Sequence, residues 1–70
     1  MEDIIEIAIE ALKSTAIELV CVNGYEDAKQ SGKLQDIRDM IEYLVNFWGL
    51  GSDLIESYDK SLEKVKYKFI

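Results

Sequence analysis

Ile55, Tyr58, Leu62, Val65 and Phe69 recur at alternating steps of three and four residues. That spacing places all five on one face of a helix and describes a coiled-coil-like seam. A seam of this kind must be buried against another helix, so it commits the chain to helix-on-helix packing. The same period appears twice more. Ile5, Ala8, Ile9, Leu12, Ala16, Leu19 and Val20 form an apolar stripe over residues 2–22, widened by Ile4, Ala11 and Cys21, which predicts contact with more than one neighbour. Leu34, Ile37, Ile41, Leu44, Val45 and Trp48 form a second stripe over residues 34–48, with Met40, Tyr43 and Phe47 alongside.

The punctuation fits three helices at about 2–22, 34–48 and 53–69. Glu2, Asp3 and Glu6 crowd the first turns, where the positive end of a helix dipole favours them. Asn23-Gly24 supplies a stop, because both residues tolerate the left-handed backbone of a helix C-cap. Asn-Gly is also a hairpin turn, but Tyr25 to Gln30 do not alternate as a returning strand would. Residues 25–33 are polar and suit one helical turn before Ser31-Gly32-Lys33 breaks it. Gly49-Leu50-Gly51 ends the second main helix. Asp53 with Glu56 three residues on resembles a capping box with Asp53 as the cap. Lys64 to Phe69 also alternates with period two, so a terminal strand competes with the helix there. The expected architecture is a single all-α domain: a three-helix antiparallel bundle, or a helical hairpin plus a third helix, completed by oligomerisation.

Oligomerisation enters because little else can supplement so small a core. A 70-residue chain buries only about 60% of the surface its unfolded form exposes. It has one cysteine and no histidine, so neither a disulfide nor a Cys/His zinc site is available to staple it. With 49% hydrophobic residues, more apolar surface is present than a short monomer hides easily.

The lack of histidine also removes Ser-His and Cys-His nucleophile pairs and any imidazole base. Cys21 lies between Val20 and Val22 with no basic neighbour to lower its pKa, and reads as a buried, inert thiol. A net charge of −6 argues against direct nucleic-acid or anionic-membrane binding and favours basic protein partners or divalent cations. Residues 60–70 depart from this, with Lys60, Lys64, Lys66 and Lys68 against Glu63, a balance of +3 that leaves −9 on the remainder. The lysines complement the C-terminal dipole of a helix, with a docking role as the alternative. No apolar run reaches the roughly 18 residues of a membrane span. The opening residues carry no basic region of a signal peptide, so a cytoplasmic location is expected, in a host cell if the chain is viral.

Two acidic pairs stand at helical spacing, Asp3 with Glu6 and Asp36 with Asp39. Drawn from adjacent helices, they supply the all-oxygen ligands that magnesium needs. The stretch Asp36-Ile37-Arg38-Asp39-Met40-Ile41-Glu42-Tyr43-Leu44 resembles the helix of MazG-type all-α nucleotide pyrophosphohydrolases that carries an acidic E-x-x-D motif. Gly49 to Glu56 resembles that family's turn into its next helix, and Leu62 to Phe69 its Lys-rich closing helix. The similarity covers residues 34–69. It implies that Asp36 and Asp39 take the places of the second acidic pair, in a magnesium-dependent hydrolase or an inactive nucleotide-binding relative. Asp36 stands where glutamate is usual. No E-x-x-E motif lies upstream, Asp3-x-x-Glu6 being the nearest substitute.

Tyr43, Phe47 and Trp48 cluster beside the glycine turn. They read first as core and second as a partner-binding or oligomer anchor, since tryptophan and tyrosine are frequent hot-spot residues. The leading functional expectation is therefore a small, acidic, non-catalytic protein-binding module, self-associating and without a cofactor. A phage-type inhibitor acting on a host enzyme or nuclease by protein contact is the genre it suits. Its contact residues would be Glu26, Asp27, Asp36, Asp39, Glu42, Tyr43, Phe47 and Trp48. A structural subunit of a larger assembly is the remaining alternative.

Overall fold

The computed structural model describes the backbone of residues 2–68 and the side chains of residues 4–67. Four helices follow in order: α1 Glu2–Asn23, α2 Tyr25–Gln30, α3 Lys33–Trp48 and α4 Asp53–Lys68. Among the described residues there is no strand, so the alternating run at Lys64–Lys68 is helical. Phe69, the last position of the seam, lies outside the described residues.

The long helices α1, α3 and α4 each pack on the other two. Leu12 shares a groove with Met40, Tyr43 and Leu44, while Leu19 and Asn23 lie by Ser31 and Lys33, so α1 and α3 run antiparallel. Lys13 reaches Ser57, and Val20 lies near Lys66, so α1 and α4 run parallel. The result is an up-down-up bundle, 37 Å in its longest dimension.

The short α2 occupies the first connection. Gly24 separates it from α1 at φ 87°, ψ 152°, a backbone region in practice reserved for glycine. That sharp step lets α2 fold across the end of the bundle and seat Ala28 in the core. At the other end Gly49 takes the left-handed conformation, φ 66°, ψ 32°, and donates its N–H to the Val45 carbonyl, closing α3. The helix α4 starts at Asp53 as expected, but its cap lies one residue earlier than the capping-box pattern implied. The Ser52 carbonyl accepts the Glu56 N–H at 3.1 Å, which makes Ser52 the cap. Asp53 is the first helical residue, where its charge faces the helix dipole.

The core consists of Ile9, Ala16 and Val20 from α1, Ala28 from α2, Leu34, Ile37, Ile41 and Val45 from α3, and Tyr58 and Leu62 from α4. Ile5, Leu12, Leu19, Leu44, Ile55 and Val65 pack around it. Tyr58 is the one core residue with a polar side-chain atom, and its hydroxyl donates to the Leu34 carbonyl at 2.7 Å. Burial is the main reason that this phenol's pKa is pushed up to about 12; the Asp59 carboxylate adds to it. At the surface, Arg38 ties α3 to α4 through a two-point contact with Asp59, Nε to Oδ1 at 2.9 Å and Nη2 to Oδ2 at 3.0 Å. Its Nη1 donates to Glu42 at 2.6 Å, and the hydrogen bond with Asp59 is the first cause that holds the guanidinium pKa above its ordinary value.

Two expectations of burial are overturned. Cys21 is exposed, because it follows buried Val20 by one residue and so points about 100° away from the core. Ile4 and Ala11 are exposed too, so among the described residues nothing covers the side of α1 that they widen.

Candidate functional site

The largest departure from a closed core lies along the outward side of α1 and α3. On α3, residues Asp36, Met40, Tyr43 and Phe47 follow at steps of four, three and four, forming one row beside the buried row of Ile37, Ile41 and Val45. Met40 is 51% exposed, Tyr43 65%, Phe47 66% and neighbouring Trp48 49%. The first reading of the aromatic cluster as core is therefore wrong. The reason is geometric: α3 turns its purely aliphatic row inward, and α1 and α4 together cover only that side.

The aromatic rings are ordered on one another. Tyr43 and Phe47 stack with centroids 5.8 Å apart and planes 17° from parallel. Phe47 meets Trp48 edge-on at 5.5 Å and 70°. Both arrangements suit the ring quadrupoles and hold the rings as a preformed surface. Beside them, Leu12 of α1 with Met40, Tyr43 and Leu44 of α3 lines an open groove of about 370 Å³, with Asp39 at its rim. Elsewhere on the outer surface of α1, Ile4, Ile7 and Val22 are also exposed. Contiguous exposed apolar surface of this kind marks interaction sites in folded proteins. The groove is too open to enclose a small molecule, and its lining offers few of the convergent polar groups that orient one.

Among the residues expected to contact a partner, the structure places Asp36, Asp39, Tyr43, Phe47 and Trp48 on the exposed surface of α3. Asp39 accepts a hydrogen bond from Gln35 Nε2 at 2.9 Å. Glu42 is turned to the other flank and occupied by Arg38. Glu26 and Asp27 stand at the far end of the bundle, on α2. There they line a separate pocket of about 310 Å³ with Lys66, whose ammonium lies 4.8 Å from the Tyr25 ring centre. Leu12, Met40 and Leu44 belong to the groove although the sequence did not single them out as contacts. Asp36 at the head of the α3 row was the available signal, since a carboxylate at one step of a helical row marks that row as facing water.

The acidic pairs are distributed differently from a metal centre. Leu12 is level with Met40 to Leu44, so Glu6 and Asp36 lie roughly 18 Å apart along the antiparallel helices at 1.5 Å per residue. The side chain of Asp3 lies outside the described residues. Among the described residues no three acidic or cysteine side chains gather closely enough to hold an ion. Nor is any described helix long and apolar enough to cross a membrane.

Comparison with family models, with curated proteins and with solved structures finds no match for this chain.

Proposed function

We propose that the chain is a small acidic protein-binding module that works by non-covalent contact, using the outward surface of α1 and α3. The observation that carries this reading is the exposure of Met40, Tyr43, Phe47 and Trp48 in one continuous patch. Apolar side chains of this size stay on a surface at a cost in hydration that only a partner removes, about 1.5–3 kcal/mol for each one fully buried. Stacked aromatic rings add rigid contact area with little rotamer entropy left to lose. The acidic balance of the chain favours a partner whose surface is basic. An inhibitor of a nucleic-acid enzyme is the genre this combination suits, because such enzymes carry the basic grooves that acidic modules occupy.

Self-association through the same surface is the second reading, supported by the same exposed patch in a chain with so small a core. Sedimentation of the purified chain and of a Tyr43→Ser/Phe47→Ser variant, alone and with the protein it retains from its source cells, tests both. The proposal expects the wild-type chain to hold its partner and the variant to release it while keeping its helical circular dichroism. Undiminished retention by the folded variant would overturn it.

A further inference from the structure

Charge is not spread evenly around the α1–α3 groove. At the end where α1 finishes and α3 begins, Asp39 lines the groove and Asp36 precedes it on the same helix, while Glu18 of α1 stands at about the level of Asp36; all three are exposed. The other end carries the rings of Tyr43, Phe47 and Trp48. Apart from Lys33, the described cations of the long helices face elsewhere. Lys13 is engaged with Glu10 and with Ser57 of α4. Arg38 is held between Asp59 and Glu42, and Lys60, Lys64 and Lys66 belong to α4. Lys33, at the foot of α3, is the nearest cation to the acidic border. Among the described residues the ion pairs are Lys13–Glu10, Arg38–Glu42 and Arg38–Asp59, so Glu18, Asp36 and Asp39 have no cationic partner.

We propose, building on the protein-binding reading, that the occupant of this groove is a basic amphipathic helix of another protein. Three observations select it. The first is backbone chemistry. Every described element around the groove is helical and keeps its backbone hydrogen bonds to itself, so no strand edge is present for an extended peptide to pair with, and side-chain packing is what remains. The second is shape. Two antiparallel helices pack about 8–10 Å apart, and the furrow between them matches the apolar stripe of a third helix laid along it. The third is charge. A second copy of this chain, placed face to face, would set the acidic border against either the same border or the apolar rings, with Lys33 the one nearby cation among the described residues to offset the carboxylates. A helix bearing Lys or Arg at one end and apolar anchors at the other satisfies both halves of the groove.

The occupant is accordingly polarised. Its apolar residues, at steps of three and four, lie on Leu12, Met40, Tyr43, Leu44 and Phe47. Its basic residues lie beside Glu18, Asp36 and Asp39.

The test uses the full chain and two synthetic helical peptides of one length, a leucine/lysine sequence with its lysines toward one end and its leucine/glutamate counterpart. Binding is read by anisotropy of a labelled peptide in physiological salt. Asp36→Lys/Asp39→Lys is compared with Glu26→Lys/Asp27→Lys, which makes the same change of net charge on α2. The proposal expects the lysine peptide to bind at least tenfold more tightly than the glutamate peptide. It also expects the Asp36/Asp39 variant to lose about tenfold in affinity and the Glu26/Asp27 variant less than threefold. Equal losses in the two variants would mean unspecific attraction and would overturn the basic-helix inference. So would a stable dimer of the wild-type chain that Tyr43→Ser/Phe47→Ser dissociates, though that result would keep the face itself as an interface. If Tyr43→Ser/Phe47→Ser leaves peptide affinity unchanged in a folded chain, the protein-binding reading of this surface fails together with the inference.

Discussion

Replacing Tyr58 by phenylalanine deletes one oxygen atom from the centre of the bundle and should show how much of the fold that atom secures. Tyr58 is 1% exposed and its hydroxyl donates to the Leu34 carbonyl at 2.7 Å. The carbonyl lies in the first turn of α3, where it also faces the backbone N–H four residues on, so the substitution does not strand an acceptor. The expected loss is therefore that of one neutral hydrogen bond, about 1 kcal/mol. For a domain of this size it lowers Tm by about 4–8 °C. The pH dependence separates this cause from a packing defect. The folded phenol has its pKa pushed up to about 12, against about 10 in an unfolded chain. Below pH 10 both states keep the proton, so the stability it contributes is fully present. Between about pH 10 and pH 12 the unfolded chain ionises first, and that stability is lost. The Tyr58→Phe protein has no such proton to lose. Its deficit against wild type should narrow above about pH 10 and be gone by about pH 12. Urea unfolding followed by circular dichroism at pH 8, 10 and 11.5 measures the difference. No destabilisation at pH 8, or a deficit that stays constant to pH 11.5, would refute the reasoning.

Other positions give sharper contrasts between core and surface. Ile41 is fully buried among the three long helices, and Ile41→Ala should cost about 2–5 kcal/mol in thermal or urea unfolding, enough to unfold much of a marginal domain. Tyr43→Ser/Phe47→Ser should change unfolding free energy by no more than about 0.5 kcal/mol per site, since neither ring leaves the surface on unfolding. Gly49→Ala should lose about 1 kcal/mol through its left-handed backbone. The space around it is open, so no steric clash adds to that loss. The single thiol, Cys21, should react with a disulfide reagent in the native protein within about tenfold of its rate in denaturant, because it is exposed. Protection by several orders of magnitude would place it back in the core.

The helices were legible in the sequence because period and punctuation agreed. Stripes at three- and four-residue steps were bounded by Gly24, Gly32 and Gly49, and all three glycines take positive φ. The rotation of each helix was harder to read. On α3 the rows Ile37-Ile41-Val45 and Met40-Tyr43-Phe47 are both apolar and both helical, so periodicity allowed either to face inward. The aliphatic row won, and Asp36 at the head of the other row was the only local sign of it. On α1, apolar residues run nearly all the way round, so Ile9 and Val20 inside could not be told from Ile7 and Val22 outside. The same ambiguity put Cys21 on the wrong side. The Arg38–Asp59 contact joins residues 21 apart, and no pattern in a single sequence pairs them. The charge border of the groove was half visible, since Asp36 and Asp39 were singled out for their spacing. Only the packing of α1 beside α3 showed that Leu12 shares a groove with Asp39 and that Glu18 stands at about the level of Asp36.

The central claim, that the outward surface of α1 and α3 is where this protein meets another, is tested most directly by mapping binding residue by residue. Amide and methyl resonances of the labelled chain would be recorded before and after addition of the protein that it retains from its source cells. The surface reading predicts that the largest changes fall on Leu12, Met40, Tyr43, Leu44 and Phe47, with smaller ones at Glu18, Asp36 and Asp39. Changes concentrated instead on Glu26, Asp27 and Lys66, at the α2 end of the bundle, would contradict it.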